Sequence, residues 1–277
     1  YFRYFYRVKP GTYTISKETT YVLGPLFPDG GVNYIEALDA WCREGITPEN
    51  NAHALITQVL GPALSGPIRL PDGIYLRQGI KRPPSGAQAL SPLHELLFGR
   101  GQATALLDGT KPIYELLQRP WAGYQAPTVA RCLEMNAKPL ELAHEACLRT
   151  RWYAPAIPLE APSSSGSASS ALLLTLQPTQ DLSNLLILRA MLSLGEGQTE
   201  KARADLIACM RLGRLMTQSS TMYEHVSGRS TEMLAFNATL AWIADPTVTA
   251  GEIETLQREL AVLPSPRLLA DKLDRGE

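Results

Sequence analysis

The sequence predicts an all-α fold, an irregular bundle of helical hairpins with a short extended arm at the N-terminal end. Apolar residues recur at the spacing of one helical face over much of the chain, and several such runs end at Gly or Gly-Pro. Two capping boxes, Thr221 with Glu224 and Thr249 with Glu252, indicate the starts of late helices. With 277 residues and 45% hydrophobic content, the chain can bury a sizeable core.

The N-terminal end, residues 1–14, is predicted to be a juxtamembrane stub or arm. Its aromatic residues alternate with Arg3, Arg7 and Lys9, a pattern typical of a membrane–water interface. The same alternation at period two is typical of an edge strand, so both interpretations stay open. The following stretch, YTISKETTYVLGPL, favours an extended arm or a short strand. Apolar runs such as ALLLTL are far shorter than the ~20 residues that cross a bilayer, so no transmembrane helix is expected in this sequence.

Residues 15–153 form a predicted N-terminal helical region. A helix over 32–42 that stops at Gly45, and a second over 52–60 that stops at Gly61, are expected to form a hairpin. Prolines interrupt the chain beyond this point. Four further helices are predicted at Pro92–Phe98, Pro112–Gln118, Thr128–Asn136 and Pro139–Arg149, with the last two as a second hairpin.

A flexible loop or linker is predicted at residues 154–170, because APAIPLEAPSSSGSASS has too little apolar content to order itself. Residues 171–277 form a predicted C-terminal helical hairpin region. A leucine-rich helix stops at GEG, and its partner carries Ala202 and Ala208, small residues where neighbouring helices approach closely. This pair is tetratricopeptide-like, so the second half is predicted to be partly solenoid. No second copy follows at a period of 34, which keeps an irregular bundle open.

The composition excludes several function classes. The 26 basic and 27 acidic residues balance, so nucleic acid is not an expected partner. The four cysteines form no CxxC pair and are predicted to be small buried hydrophobic residues, with Cys132–Cys147 as the one disulfide worth testing. The sequence lacks GxSxG, Walker and HExxH motifs, and the His-Glu pairs at His94 and His144 have no second histidine four residues on. No catalytic residue, metal ligand or cofactor is predicted.

Two short stretches could bind a ligand. GITPENNAHAL places Glu49, Asn50 and Asn51 close together, and RTRWY places Arg151, Trp152 and Tyr153 together. The first stretch also suits a helix start, with Thr47 as the cap and Pro48 as the first helical residue. The second stretch could hold an anion or a polymer, or pack on the edge of the core.

The order of several motifs resembles a known group. ISKETTYVLGPL, DGGVNYIEAL, GITPENNA, RPW, NAKPLELAHEA, RTRWYAP and LRAMLSLGEG, over residues 15 to about 215, resemble an uncharacterised family of bacterial envelope proteins typical of planctomycetes. The resemblance implies a transmembrane helix upstream of residue 1, which favours the juxtamembrane interpretation of residues 1–14. It implies no reaction or ligand. His53 departs from the family pattern, which has a small or aliphatic residue there, whereas Glu49, Asn50 and Asn51 match it.

Two hypotheses follow. The first is a non-enzymatic helical interaction or scaffold domain of a membrane-anchored bacterial envelope protein, extracytoplasmic and bound to an unknown protein partner in the cell envelope. Its contact with the membrane would be made only through the helix upstream of residue 1. The alternative is an envelope hydrolase or carbohydrate-acting enzyme that uses Glu49 in a cleft with Arg151 and Trp152.

Overall fold

The chain is chiefly α-helical in the part that the structure describes. The computed structural model describes residues 14–62, 69–84, 89–91, 113–158, 171–172, 174–219 and 221–268. The chain divides into two compact units. Unit 1 comprises residues 1–45 and 155–173, and unit 2 comprises residues 46–154 and 174–277.

Unit 1 contains helix α1 (Tyr34–Cys42) and a short antiparallel ladder, in which strand β1 (Ile157–Pro158) pairs with strand β2 (Ala171–Leu172). The side chain of Asn33 caps α1 by accepting from the backbone N–H of Glu36 at 3.0 Å. The buried carboxylate of Asp39 in α1 accepts from the backbone N–H of Ala156 at 3.0 Å. This last bond joins the two sequence segments of unit 1.

The strand or arm predicted over YTISKETTYVLGPL is a turn in its central part. The backbone carbonyl of Ser16 accepts from the N–H groups of Thr20 at 2.9 Å and Tyr21 at 3.2 Å, and Tyr21 has a φ of 58°. Because Ser and Thr side chains bond to nearby backbone, they favour turns over a ladder. The hydroxyl of Thr20 bonds the carbonyls of Ser16 and Val22 in this way.

Unit 2 holds the remaining helices that the structure describes. In chain order they are α2 (Ala52–Leu60), α3 (Asp72–Arg77), α4 (Ile113–Leu116), a 3₁₀ turn (Gly123–Gln125), α5 (Pro127–Met135), α6 (Ala137–Cys147), α7 (Leu176–Gly195), α8 (Thr199–Met216), α9 (Met222–Ile243) and α10 (Ala250–Ala261). Helices α7, α8 and α9 pack on one another, and α2 packs on α6. Together they surround one apolar core.

Helix α7 is buried nearly all round, as its run of leucines predicts. It is followed by α8 after a three-residue connection in which Gly197 has a φ of 75°. Helices α8 and α9 cross at two glycines. A Cβ on Gly213 would lie 2.6 Å from the carbonyl oxygen of Gly228, and a Cβ on Gly228 would lie 2.5 Å from that of Gly213. The glycines therefore set how closely these helices approach.

Both predicted late capping residues begin helices. The hydroxyl of Thr221 accepts from the N–H of Glu224 at 3.2 Å, and that of Thr249 accepts from Glu252 at 3.3 Å. At Thr249 the box is reciprocal, because Glu252 also accepts from the Thr249 N–H at 2.8 Å.

Several predictions about helix pairing need correction. Helix α1 belongs to unit 1 and α2 to unit 2, so the hairpin predicted for them does not form one unit. Pro139 is the third residue of α6, which begins at Ala137. The regions predicted as 15–153 and 171–277 contribute helices to one core, since α6 packs on both α7 and α8.

Some predicted features lie outside the described residues. These are residues 1–13 of the predicted stub or arm, the helix at Pro92–Phe98 with His94, and residues 159–170 of the linker. None of the described helices is long and apolar enough to cross a membrane.

The cysteines are free thiols, so the Cys132–Cys147 disulfide is not formed. Cys132, Cys147 and Cys209 are buried as predicted, whereas Cys42 is only half-buried. Burial raises the pKa of Cys132 to about 11 and that of Cys147 to about 12. These thiols are protonated packing groups at neutral pH and are poor nucleophiles.

Candidate functional site

The loop that precedes α2 lies beside the segment that follows α6. The backbone N–H of Arg151 donates to the carbonyl of Asn50 at 3.0 Å, and the N–H of Ala52 donates to the carbonyl of Arg151 at 2.8 Å. These bonds form a parallel bridge between Asn51 and Arg151. The structure thus brings together the two stretches in which binding residues were predicted, and we call this contact the junction.

Asn51 is the central side chain of the junction and is fully buried. Its Oδ1 accepts from the backbone N–H of His53 at 3.1 Å, which caps α2, and from that of Tyr153 at 2.9 Å. Its Nδ2 donates to the carbonyl of Tyr153 at 3.0 Å and to Oε1 of Gln78 at 3.3 Å. The amide therefore satisfies backbone groups from two distant segments and is engaged inside the protein.

The start of α2 differs from the prediction. The cap is Asn51 and the first helical residue is Ala52, in place of Thr47 and Pro48. Thr47 instead forms a separate turn with Asn50. Its carbonyl accepts from the Asn50 N–H at 3.2 Å, and its N–H donates to Oδ1 of Asn50 at 2.9 Å.

Glu49 lies exposed on the outer side of this turn. A hydrogen bond from its own backbone amide, helped by the Thr47 hydroxyl, holds the pKa of the Glu49 carboxyl below its usual value. The guanidinium of Arg149 donates to the carbonyls of Pro48 and of Asn51, the latter at 3.1 Å. Glu49 is therefore an exposed, ionised carboxylate within the turn formed by Thr47 and Asn50.

The aromatic residues predicted as a binding surface are buried. Trp152 and Tyr153 lie in the interior, while Arg151 is half-buried. The indole N–H of Trp152 donates to Oε1 of Glu224 at 3.4 Å, and its backbone N–H donates to Oε1 of Gln218 at 3.2 Å. Trp152 thus packs against the start of α9, and neither Trp152 nor Tyr153 offers an aromatic surface to a ligand.

A buried polar cluster around His53 lies directly beneath the junction. Nδ1 of His53 lies 2.9 Å from Oε1 of Gln78, and Nε2 lies 2.8 Å from Oγ1 of Thr175. Gln78 also donates from Nε2 to the hydroxyl of Thr57 at 3.0 Å. The ring of His53 meets that of Trp152 edge-on, with centroids 5.0 Å apart.

This arrangement fixes the protonation of His53. Oε1 of Gln78 can only accept, so Nδ1 of His53 carries the proton and Nε2 accepts from the Thr175 hydroxyl. Burial lowers the pKa of His53 to about 4, against a smaller opposing effect of the Gln78 hydrogen bond. His53 is therefore neutral at physiological pH, and both ring nitrogens are occupied by protein groups.

Asn51 was predicted from the sequence, whereas the hydrogen-bond partners of the His53 ring were not. Gln78 is 25 positions away and Thr175 is 122 positions away, so no local spacing could link them. One sequence feature did indicate the environment of His53. This residue lies in a short apolar helix near Leu55 and Ile56, and a histidine buried in such a helix is usually neutral and hydrogen-bonded.

A second buried cluster joins three helices of unit 2. Asp205 of α8 accepts from Nε of Arg189 at 2.9 Å and from its Nη2 at 2.7 Å, and it also bonds His144 of α6. His144 thus has a carboxylate partner within the protein. No group of three or more histidine, cysteine or acidic side chains within the described ranges could hold a metal ion.

The exposed surface of α9 is apolar. Along one side of this helix, six large apolar side chains are each between 43% and 69% exposed: Tyr223, Val226, Met233, Phe236, Leu240 and Ile243. We call this set the α9 face. Large apolar side chains exposed along one side of a helix mark a candidate binding surface, and Arg229 interrupts this row between Val226 and Met233. The spacing of these residues does not distinguish an exposed side of the helix from a side that packs on the core, so the α9 face was not predicted.

No protein-family model, curated protein or solved structure matches this chain.

Proposed function

We propose that this chain is a non-enzymatic helical interaction or scaffold domain. The observation that carries the proposal is the α9 face, a row of large apolar side chains that remains exposed on a fully formed helix. Burial of apolar side chains is favourable by about 1.5–3 kcal/mol each, so a surface of this composition favours a protein partner.

The junction supports a structural role rather than a catalytic one. Its Asn51 side chain bonds Tyr153, Gln78 and the first turn of α2, and Glu49 is exposed with a lowered pKa. A glycosidase needs a carboxylic acid whose pKa is raised and a second carboxylate across a cleft. Glu49 has the opposite shift, so it gives no support to the hydrolase alternative.

The wider setting of the domain is part of the proposal and rests on the resemblance to planctomycete envelope proteins. In that setting the domain is extracytoplasmic and tethered by a helix upstream of residue 1, with residues 1–14 as an extended juxtamembrane arm. Recovery of the full-length protein in the membrane fraction of its host, rather than in the soluble fraction, is the expected result of cell fractionation.

The finer architecture is also proposed. Helices α7 and α8 are taken as one tetratricopeptide-like pair, supported by their short connection and by the buried Ala202 and Ala208 on α8. On this proposal α9 packs on the α7–α8 pair, and its outward side is a surface on which a further element of a solenoid would pack.

Photo-crosslinking in the host cell tests the interaction function. A photoreactive phenylalanine derivative replaces Phe236 on the α9 face, and in a matched control it replaces Gln257, an exposed polar residue of α10. We expect crosslinked adducts from position 236 and none from position 257. Adducts from neither position, or from both equally, would contradict an interaction function of the α9 face.

A further inference from the structure

The α9 face repeats at the spacing of a coiled-coil seam. Val226, Met233 and Leu240 follow one another at intervals of seven, and Phe236 and Ile243 each lie three positions after the second and third of them. With Arg229 these residues fill successive a and d positions of a heptad pattern. Five of these six a and d positions are apolar, and an apolar a/d stripe is narrower than the stripe by which a helix packs on a globular core and is typical of pairing with one other helix.

The opposite side of α9 is already occupied. Thr231, Ala235, Ala238 and Trp242 are buried in unit 2, and Gly228 contacts Gly213 of α8. The helix therefore has one side for its own core and a second apolar side that faces outward. Since α9 has 22 residues, the outward seam extends for about 30 Å along the axis.

The exposed area is sufficient for a dimer. Six half-exposed large side chains present on the order of 600 Å² per copy, close to the ~800 Å² per partner of a standard interface. The segment from Met233 to Ile243 carries no charge, and Arg229, the one charged residue at a d position, is paired with Glu232, so two copies of the face carry no unbalanced like charge.

Two features of α9, the exposed Asn237 and the small number of cationic residues, favour a second copy over a lipid surface as the partner of the α9 face. Asn237 lies exposed beside the seam, and its amide can both donate to and accept from an identical amide across a two-fold axis. In lipid the same amide would lose its hydrogen bonds to water. Helices that lie on membranes carry many Lys and Arg residues, whereas α9 has no Lys and its Arg229 is paired with Glu232.

We propose that the α9 face binds the α9 face of a second copy of this chain, as a short two-helix coiled coil. This inference rests on the proposed interaction function and names its partner. The interface is isologous, because the same residues contribute from both copies.

Sedimentation velocity of the purified chain tests the inference. We expect a concentration-dependent dimer of twice 30.3 kDa for the wild type. Met233→Glu and Phe236→Glu each place a carboxylate in the seam and should weaken dimerisation at least ~10-fold. Gln257→Glu adds the same charge on exposed α10 and should leave the dimer unchanged. Circular dichroism checks that each variant remains helical.

A second measurement covers the case in which a substitution disturbs folding. The photoreactive derivative at position 236 in the otherwise wild-type, purified chain should give a covalent dimer, and at position 257 it should not. A wild type that remains monomeric at about 100 μM, or a dimer that neither substitution weakens, would overturn the inference. So would binding to phosphatidylglycerol vesicles that Met233→Glu abolishes in a monomeric protein.

The two proposals fail in different ways. A monomeric purified chain whose position 236 crosslinks to a different protein in cells overturns the second-copy inference and leaves the interaction function standing. A chain that gives no adduct at position 236 either in cells or in purified form overturns both.

Discussion

Asn51 makes a larger contribution to stability than its sequence neighbour Asn50. The side chain of Asn51 is buried and bonds backbone groups of His53 and Tyr153, whereas the side chain of Asn50 accepts from the backbone N–H of Thr47 in an exposed turn. Asn51→Ala should lower the free energy of unfolding by about 2–3 kcal/mol, because it removes a helix cap and leaves buried groups unsatisfied. Asn50→Ala should cost no more than ~1 kcal/mol. Urea unfolding of both variants measures this, and equal losses would show that Asn51 does not hold the junction.

His53 makes stability depend on pH in a defined window. Its pKa is lowered from 6.5 to about 4 in the folded chain. Below pH 6.5 the unfolded chain therefore binds a proton that the folded chain does not. The stabilisation is complete above pH 6.5 and is lost as the pH falls towards 4, by at most about 1.4 kcal/mol per pH unit.

The variant His53→Gln isolates this effect. It keeps a polar side chain that can bond Gln78 or Thr175 but has no titrating group. We expect urea unfolding of the wild type between pH 7 and 5 to show a steeper loss of stability than unfolding of the variant. Parallel pH profiles would mean that His53 is protonated equally well in the folded and unfolded chains.

The residues of the junction were partly predictable. Glu49 to Asn51 and Arg151 to Tyr153 stood out as chemically dense stretches, and the structure brings them side by side. Their burial could not be read from the sequence, because it depends on which distant segments pack over them. Gln78 and Thr175 have nothing distinctive in their local sequence, so the environment of His53 required the tertiary structure.

The crossing of α8 and α9 depends on Gly213 and Gly228. An added Cβ at either position would meet backbone atoms of the partner helix at 2.5–2.8 Å, and backbone cannot move as a side chain can. Gly213→Ala and Gly228→Ala should each lower the free energy of unfolding by about 3 kcal/mol. Gly251→Ala in α10 is the matched control, because nothing lies within 4 Å of its added Cβ, and it should be neutral or slightly stabilising. Thermal melts of the three variants measure the difference, and a stable Gly228→Ala protein would refute the close crossing.

Single helices were predicted better than their pairing. Periodicity, glycine stops and threonine caps located α2, α8 and α10 within a few residues, because these signals act within one or two turns. The hairpin of α1 with α2 was predicted from a short connection alone, and the structure assigns the two helices to different units, with a separate turn at Thr47 between them. The stretch around Ser16 was predicted to be an extended arm or a short strand and is a turn, because threonine favours both.

The burial of the cysteines gives a test of the whole fold. Cys132, Cys147 and Cys209 lie in the core of unit 2 with raised pKa values, whereas Cys42 is half-buried in unit 1. In native protein at pH 8 we expect a thiol reagent that absorbs on reaction to modify Cys42 first and the other three only on unfolding. In the urea-denatured chain all four thiols should react with the reagent. Rapid modification of all four thiols without denaturant would contradict this core.

The all-α class was predictable for the whole molecule, but its division into units was not. Residues 154–170 looked like a boundary because they are rich in small and polar residues. The structure instead assigns the helices on both sides of that stretch to unit 2. Composition shows which stretch has too few apolar residues to order itself. The units depend instead on contacts between segments more than a hundred residues apart in the sequence.

The two points at which unit 2 is interrupted are both hydrogen-bonded to the start of α2. Unit 2 stops after Ala154 and resumes at Leu174, and the residues next to these two points, Tyr153 and Thr175, both bond the first turn of α2. The exit and the re-entry of the chain are therefore neighbours in space, so residues 155–173 leave and return at one place. Sites with this geometry tolerate exchange of the intervening segment. The segment 155–173 is thus an insertion into unit 2 that belongs to unit 1, and any replacement would have to supply the backbone N–H that Ala156 donates to the buried Asp39 of α1.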